Sequence, residues 1–160
     1  MLANRESSAY VESVLPIEFF TSLDLDLVFA RWWGVVDDSA VRVNFMNYLG
    51  DPNYRPGRPE LIDLSQIKRF DIDFAATRGL IQTVNRQVPG EIVHTPTIVW
   101  APSDGSYGMA RMFQQLAEIT DGIVVKIFRD ERAALDAAGQ SHESIADLLA
   151  RGNFLEGARS

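Results

Sequence analysis

An apolar run that leads into a helical pattern, within residues 60–80, constrains the fold more than any other part of the sequence. Three of the four residues at 61–64 are apolar, which is typical of a strand buried on both faces. A four-residue apolar spacing then begins at Ala76 and continues to Val88, as expected for an amphipathic helix. A buried strand followed by such a helix is the repeating unit of an α/β sheet.

Two strands joined by a short polar turn are predicted before this unit. Residues 14–20 alternate in polarity, and Pro16 lacks an amide donor, so this strand is expected at an edge of the sheet. The second strand is predicted to end at Gly34, and the brief connection favours an antiparallel hairpin. Of its adjacent Trp32 and Trp33, one is expected in the core and the other under a helix or a partner chain.

Polar caps and glycines mark where helices begin and end. Asp37 or Asp38 is expected to cap the first helix by accepting its free amides, and Gly50 to end it in a left-handed conformation. After a further strand, the third helix is predicted to pack through an apolar face of Met109, Met112, Phe113 and Leu116. Asp130 and Ser141 are predicted to cap two short helices near the end of the chain.

The predicted order of elements is β-β-α-β-α-β-α-β-α-α. The three later strands alternate with helices and should be mutually parallel, while the hairpin adds an antiparallel strand. The sequence therefore predicts an α/β fold with a single mixed sheet of about five strands and flanking helices. One domain is expected over 14–152, with a flexible N-terminal segment at 1–13 and a tail at 153–160 that is loose unless Phe154 and Leu155 dock.

The composition of the chain excludes several kinds of partner and site. The formal net charge of −7 argues against nucleic acid, because phosphate binding needs clustered Lys and Arg. The absence of cysteine excludes disulfides, thiolate metal sites and a cysteine nucleophile. No apolar run approaches the ~20 residues of a membrane span, and the first residues lack the apolar region of a signal peptide. A cytoplasmic protein is predicted.

A ligand or partner site is predicted beyond the carboxyl ends of the parallel strands, where the following loops converge. The residues expected there are Arg69, Asp71, Asp73, Ser103, Asp104, Gly105, Ser106, Arg129 and Asp130. Small residues at a helix start, flanked by arginines, suit an anion. The alternative is that the serines and aspartates only cap helices. Acidic residues occur only in pairs, and glycine-rich nucleotide motifs are absent, so neither metal nor cofactor is predicted.

A serine hydrolase is a further alternative. The segment around Ser106 resembles a nucleophile elbow, but Asp104 replaces the first glycine of that pattern. A general base would have to be one of the two histidines. His94 begins the strand that ends before this loop and is expected about 20 Å away. His142 is expected to be exposed at a helix start.

Three segments in order resemble the STAS domain, the fold of anti-sigma-factor antagonists and of sulfate-transporter tails. They are LIDLSQIKRFDIDFAATRGL at 61–80, YGMARMF at 107–113 and FRD at 128–130, and the resemblance spans about 14–138. Within that family, the sequence most resembles the bacterial branch related to the sporulation antagonist. The resemblance implies a non-enzymatic regulatory module that binds another protein, and it favours a homodimer.

The sequence departs from that family at the start of the helix after the central strand. Antagonists carry a phosphorylatable Ser or Thr there, whereas residues 71–74 are Asp-Ile-Asp-Phe and contain no hydroxyl. The resemblance therefore carries the fold better than the phosphoswitch. Two functional alternatives stay open beside a protein-binding module. One is a binder of a small anionic or lipidic ligand at the carboxyl-end crevice, and the other is the hydrolase.

Overall fold

The computed structural model describes residues 15–79, 95–118 and 123–158. They form one six-stranded sheet with strand order β5-β4-β3-β2-β1-β6. The strands are β1 (Ile17–Ser22), β2 (Leu27–Asp37), β3 (Glu60–Asp71), β4 (Thr95–Trp100), β5 (Ile123–Phe128) and β6 (Leu155–Glu156). Strands β2 to β5 are parallel, and β1 is antiparallel to both β2 and β6. The predicted α/β fold with a mixed sheet is confirmed, and β3 is internal as expected.

Five helices flank the sheet in the described part of the chain. They are α1 (Asp38–Leu49), α2 (described at 74–79), α3 (Asp104–Glu118), α4 (Glu131–Ala137) and α5 (Ile145–Arg151). Apolar residues of α1 and α3 cover one face of the sheet, here called the α1/α3 face. Those of α4 and α5 cover the other, the α4/α5 face. The predicted N-terminal segment, His94 and the later turns of the second helix lie outside the described residues.

Strand β1 is not the edge of the sheet, contrary to the prediction from Pro16. Because Pro16 precedes the first residue of β1, its missing amide leaves the strand free to pair on both sides. The final strand β6 pairs with Phe20 and Thr21 of β1. The tail predicted at 153–160 therefore docks on the protein through Phe154 and Leu155, the alternative that the sequence left open. Its Gly157 lies so close to Phe19 that a β-carbon there would overlap the ring.

Strands β2 and β3 both run further than the sequence suggested. Gly34 does not end β2, because its φ of 63° places it in the left-handed region within a strand that continues to Asp37. Strand β4 pairs only with 60–63 of β3, so the second half of β3 pairs with β2 alone. Two register shifts interrupt that pairing and mark β-bulges. The two strands thus extend beyond the sheet as a two-stranded ribbon, here called the β2–β3 ribbon.

The caps confirm part of the prediction. Asp37 caps α1 by accepting a hydrogen bond from the amide of Ala40, and Asp130 caps α4 in the same manner. Gly50 does not adopt the expected left-handed conformation, since its φ is −87°. The cap of α5 is Ser144 rather than Ser141. These two differences shift the ends of helices without altering the order of elements.

The predicted core face of α3 is correct except at one position. Met109 and Phe113 pack on the α1/α3 face of the sheet, and Leu116 is buried. Met112 is 37% exposed and points away from that core.

Candidate functional site

Six of the nine residues predicted for the site lie together at the carboxyl end of the sheet, around the start of α3. Ser103 and Ser106 hydrogen-bond each other reciprocally, because each hydroxyl accepts the other's amide at 3.0 Å. Ser106 is 2% exposed. Both hydroxyls therefore serve to cap α3. A nucleophile must be accessible to its substrate, so this geometry gives the hydrolase alternative no support.

Arg129 is held by its neighbours at the same edge. It donates to a carboxylate oxygen of Asp104 at 2.6 Å, and its guanidinium lies 4.5 Å from the ring centroid of Tyr107. The charge of Arg129 is therefore balanced by a carboxylate in the first turn of α3. A β-carbon at Gly105 would meet no atom within 4 Å, so this glycine is not required for a close approach. These contacts favour the capping alternative over an anion site.

Arg69, Asp71 and Asp73 do not join this cluster. Asp63 is the last residue of β3 that pairs with β4, and Arg69 lies six residues further along the β2–β3 ribbon, about 20 Å away. Asp73 caps α2, since its carboxylate accepts hydrogen bonds from two backbone amides of that helix. The convergence expected from topology fails here because β3 continues as a strand where a loop was predicted.

Thr77, in α2, carries the hydroxyl that lies nearest in sequence to the position phosphorylated in STAS antagonists. Thr77 is 3% exposed, and its hydroxyl donates to the carboxylate of Asp38 at 2.5 Å. The same carboxylate accepts the amide of Asp73 at 3.0 Å. These bonds tie α2 to α1 and enclose the Thr77 hydroxyl.

A cleft of about 390 Å³ opens at the carboxyl end of the sheet on the α4/α5 face. Its volume falls in the range of about 300–1,000 Å³ that is usual for ligand pockets. The cleft is lined by Arg31, Asp63, Ser65, Gln66, Trp100, Glu131, Ile145 and Ala146. By contrast, the gap beside Ile17 and Phe19 holds only about 10 Å³, far too little for a lipid chain.

Asp63 is the buried charged group of this cleft. Its side chain is 4% exposed, and one carboxylate oxygen accepts the Nε–H of Arg31 at 3.2 Å. The other oxygen accepts the backbone amide of Ser65 at 2.8 Å. Both oxygens are thus hydrogen-bonded, which is how a buried carboxylate avoids a large desolvation cost.

The Asp63–Ser65 bond coincides with the first β-bulge. Arg31 pairs with Asp63 and Trp33 with Gln66, so two steps along β2 correspond to three along β3. In a regular strand, consecutive residues point to opposite faces. The bulge breaks this alternation, and Ser65 and Gln66 both line the cleft. Asp63 therefore stabilises the irregularity that gives the cleft two of its polar walls.

Two further residues shape the opposite wall. Trp100, the last residue of β4, donates its indole N–H to the carbonyl oxygen of Arg129 at 3.1 Å. Glu131, in the first turn of α4, accepts the amide of Ile145 through Oε1 at 2.7 Å. These bonds fix the indole ring and the carboxylate in place before any partner binds.

The sequence did contain a signal for this cleft. Asp63 interrupts an apolar run predicted to be buried on both faces, and a carboxylate in such a strand requires partners. Arg31 could not be chosen as that partner, because the register of β2 against β3 is set by tertiary pairing and by no local pattern. Glu131 was missed because Asp130, the preceding residue, is the cap of α4 and drew the prediction.

The surface beside the cleft continues along the β2–β3 ribbon. Trp33 is the register partner of Gln66 and is half-buried. Val35 pairs with Arg69 and is 45% exposed. In β2 the alternation places Trp32 in the core of the α1/α3 face, so Trp33 and Val35 lie on the opposite face, the side of the cleft.

A different acidic group lies at the other end of β3. Glu60 is half-buried, and its carboxyl group forms no hydrogen bond with the described part of the chain. Burial raises the pKa of its carboxyl to about 7. Burial, with the Glu60 carboxylate as a second cause, also raises the pKa of the Tyr48 and Tyr54 hydroxyls. The two tyrosine rings meet edge to face, 5.0 Å between centroids.

Within the described residues, no group of three or more acidic or histidine side chains is arranged to hold a metal ion. None of the helices in that part of the chain combines the length and apolar character needed to cross a membrane. No protein-family model matches the chain, and no curated protein matches it.

Proposed function

We propose that this chain is a non-enzymatic, STAS-like module of the bacterial cytoplasm that binds another protein. The binding surface is the cleft between Asp63 and Glu131 together with the adjoining face of the β2–β3 ribbon. This function places no chemical step on the chain. It requires only a preformed surface that a partner can recognise.

The observation that carries the proposal is the continuity of the cleft with partly exposed apolar side chains. Gln66 lines the cleft and pairs with Trp33, and Val35 follows two residues later. Aromatic residues are enriched in protein interfaces. A small molecule would be served by the cleft alone, whereas a protein surface can cover both the cleft and the ribbon. The arrangement therefore supports a macromolecular partner over a small ligand.

The order of strands and helices, in which a β-hairpin precedes three parallel strands separated by helices, agrees with what the STAS resemblance implies. The position of the family's phosphate acceptor holds no hydroxyl, and Thr77 nearby is enclosed by its bond to Asp38. We therefore propose that binding is not switched by phosphorylation at the start of α2. A phosphate mapped to Thr77 that alters partner binding would contradict this.

The test compares the same substitution on opposite faces of the protein. Gln66 lines the cleft and Gln115 lies on α3, and both side chains are exposed, so neither change should disturb the fold. Tagged wild type, Gln66→Lys and Gln115→Lys are cross-linked in the native cytoplasm and the retained proteins identified by mass spectrometry. One protein, a second copy of the chain included, should be retained by wild type and Gln115→Lys and lost from Gln66→Lys. Equal retention by all three variants would remove the cleft from the proposal.

A further inference from the structure

We infer that the cleft receives a basic side chain, a lysine or an arginine, from the partner protein. This inference rests on the proposed function and names the chemical group that the site recognises. It follows from the charges that line the cleft, the aromatic wall and the bonds that hold both in place.

The charges favour a cation. Arg31 is the only cationic side chain among the lining residues, and Asp63 and Glu131 are the two acidic ones. Arg31 donates to Asp63 and lies over the ring of Phe29, 5.3 Å from its centroid, so its charge is already balanced. Glu131 has no cationic partner among the described residues. The lining therefore keeps an excess of negative charge.

Residues at the rim do not reverse this balance. Asp130 adjoins Glu131, and its carboxylate accepts the amide of Ala133. The two cations nearest to Glu131 in sequence are already paired, Arg129 with Asp104 and Arg132 with Asp136. An anionic group entering the cleft would thus meet carboxylates with no unbalanced cation in the lining.

The remaining walls also suit a basic group. The ring of Trp100 is held by its bond to the Arg129 carbonyl, and an indole face attracts cations more strongly than other aromatic rings. Gln66 and Ser65 each offer a side-chain oxygen that accepts hydrogen bonds. Lysine and arginine side chains carry only donors, so acceptors and an aromatic face complement them. The carboxylate of Glu131 would supply the charge-assisted bond.

Small amides that mimic one residue provide the probe. Nα-acetyl-arginine amide, Nα-acetyl-lysine amide and the uncharged Nα-acetyl-citrulline amide are titrated into ¹⁵N-labelled protein at low salt. The Trp100 indole N–H signal should shift and saturate with the two cations, and at least fivefold more weakly with citrulline amide. Higher salt should weaken binding of the cations. Saturation by citrulline amide or by Nα-acetyl-glutamate amide at equal or lower concentration would overturn the inference.

A charge-neutral variant locates the contact. Glu131→Gln keeps an oxygen that can accept the Ile145 amide but removes the charge, and Glu118→Gln makes the same change on exposed α3. Affinity for arginine amide should fall at least fivefold in Glu131→Gln and stay unchanged in Glu118→Gln. Unchanged affinity in both would overturn the inference. If Gln66→Lys loses the protein partner while Glu131→Gln retains it at full affinity, the proposed function stands and the basic side chain does not.

Discussion

The two ends of the β4-paired segment of β3 each carry an acidic side chain, and their surroundings differ in one respect. Asp63, at the carboxyl end, has both oxygens hydrogen-bonded, one to Arg31 and one to a backbone amide. Glu60, at the amino end, lies near Tyr48 and Tyr54, and its carboxyl group forms no hydrogen bond within the described residues. Asp63 is buried and Glu60 half-buried, but only the Asp63 carboxylate has hydrogen-bond partners among the described residues.

The difference shows that burial alone does not reveal what an acidic residue does. A bonded carboxylate holds its neighbours, and Asp63 fixes the bulge from which Ser65 and Gln66 enter the cleft. A desolvated carboxylate without hydrogen-bond partners has a raised pKa, as Glu60 does. Hydrogen bonds therefore organise the carboxyl end around the cleft, whereas the amino end contributes a pH dependence to stability.

Removal of Asp63 should have the largest effect. Asp63→Ala leaves the Arg31 guanidinium and the Ser65 amide without their acceptor, which should lower the free energy of unfolding by about 3 kcal/mol. Urea denaturation at pH 7 measures it. The matched control is Asp71→Ala, at an exposed position further along the same strand, which should change little. Equal midpoints for Asp63→Ala and wild type would show that the two ends of β3 do not differ as described.

Neutralisation of Glu60 should stabilise the protein at neutral pH. The folded pKa of about 7 exceeds the unfolded value of 4.5, so the folded state binds more protons and stability falls as the pH rises through that interval. Glu60→Gln removes this loss and should gain roughly 2 kcal/mol at pH 8, with a flatter dependence between pH 4.5 and 7. Denaturation series across this range, with Glu118→Gln as control, measure it. If the wild type instead lost stability relative to Glu60→Gln as the pH fell from 7 to 4.5, the pKa of Glu60 would not be raised in the folded state.

Trp100→Phe should have a smaller effect at the carboxyl end. The substitution removes the indole N–H that bonds the Arg129 carbonyl and should lower the free energy of unfolding by about 1 kcal/mol. Because the acceptor is a backbone oxygen, Arg129→Ala should preserve that bond. Thermal denaturation measures both variants. If Arg129→Ala lowered the melting temperature as much as Trp100→Phe, the stabilisation would come from the Arg129 side chain and not from the bond to its carbonyl oxygen.

Ser65→Ala should have the smallest effect. The bulge is held by the backbone amide of Ser65, which alanine retains, so the free energy of unfolding should change by less than about 0.5 kcal/mol. Ser65 lines the cleft, so loss of its hydroxyl should weaken binding of arginine amide without altering stability. A stability loss above about 1 kcal/mol would show that the hydroxyl, and not only the amide, supports the bulge.

Most of the fold could be predicted because its signals are local. The alternation in 14–20, the apolar run at 61–64 and the caps at Asp37 and Asp130 depend on neighbours within a few residues. The errors arose where the structure of a segment depends on contacts with residues distant in sequence. Residues 155–156 complete the sheet beside β1, and nothing in so short a stretch predicts a strand.

The candidate site was predictable only in its general position. Parallel strands end at one edge, and the cleft does lie there. Its residues were mostly missed, because the prediction took the polar residues that follow strands, and several of these cap helices. Ser103 and Ser106 cap α3, and Asp73 caps α2. A cap and a ligand contact need the same polar side chains, so sequence alone does not separate them.

The sequence by itself determined the layers: which segments are strands, which are helices and which of their faces are apolar, since burial follows from periodicity along the chain. Tertiary structure alone decided which charged groups meet. The pairing of Arg31 with Asp63 depends on the register of two parallel strands more than thirty residues apart. A single extra residue in the bulge just beyond that pair resets the register for the residues that follow. A one-residue slip in a strand exchanges its two faces. The chemistry of the cleft is therefore a property of strand pairing, which no local pattern records.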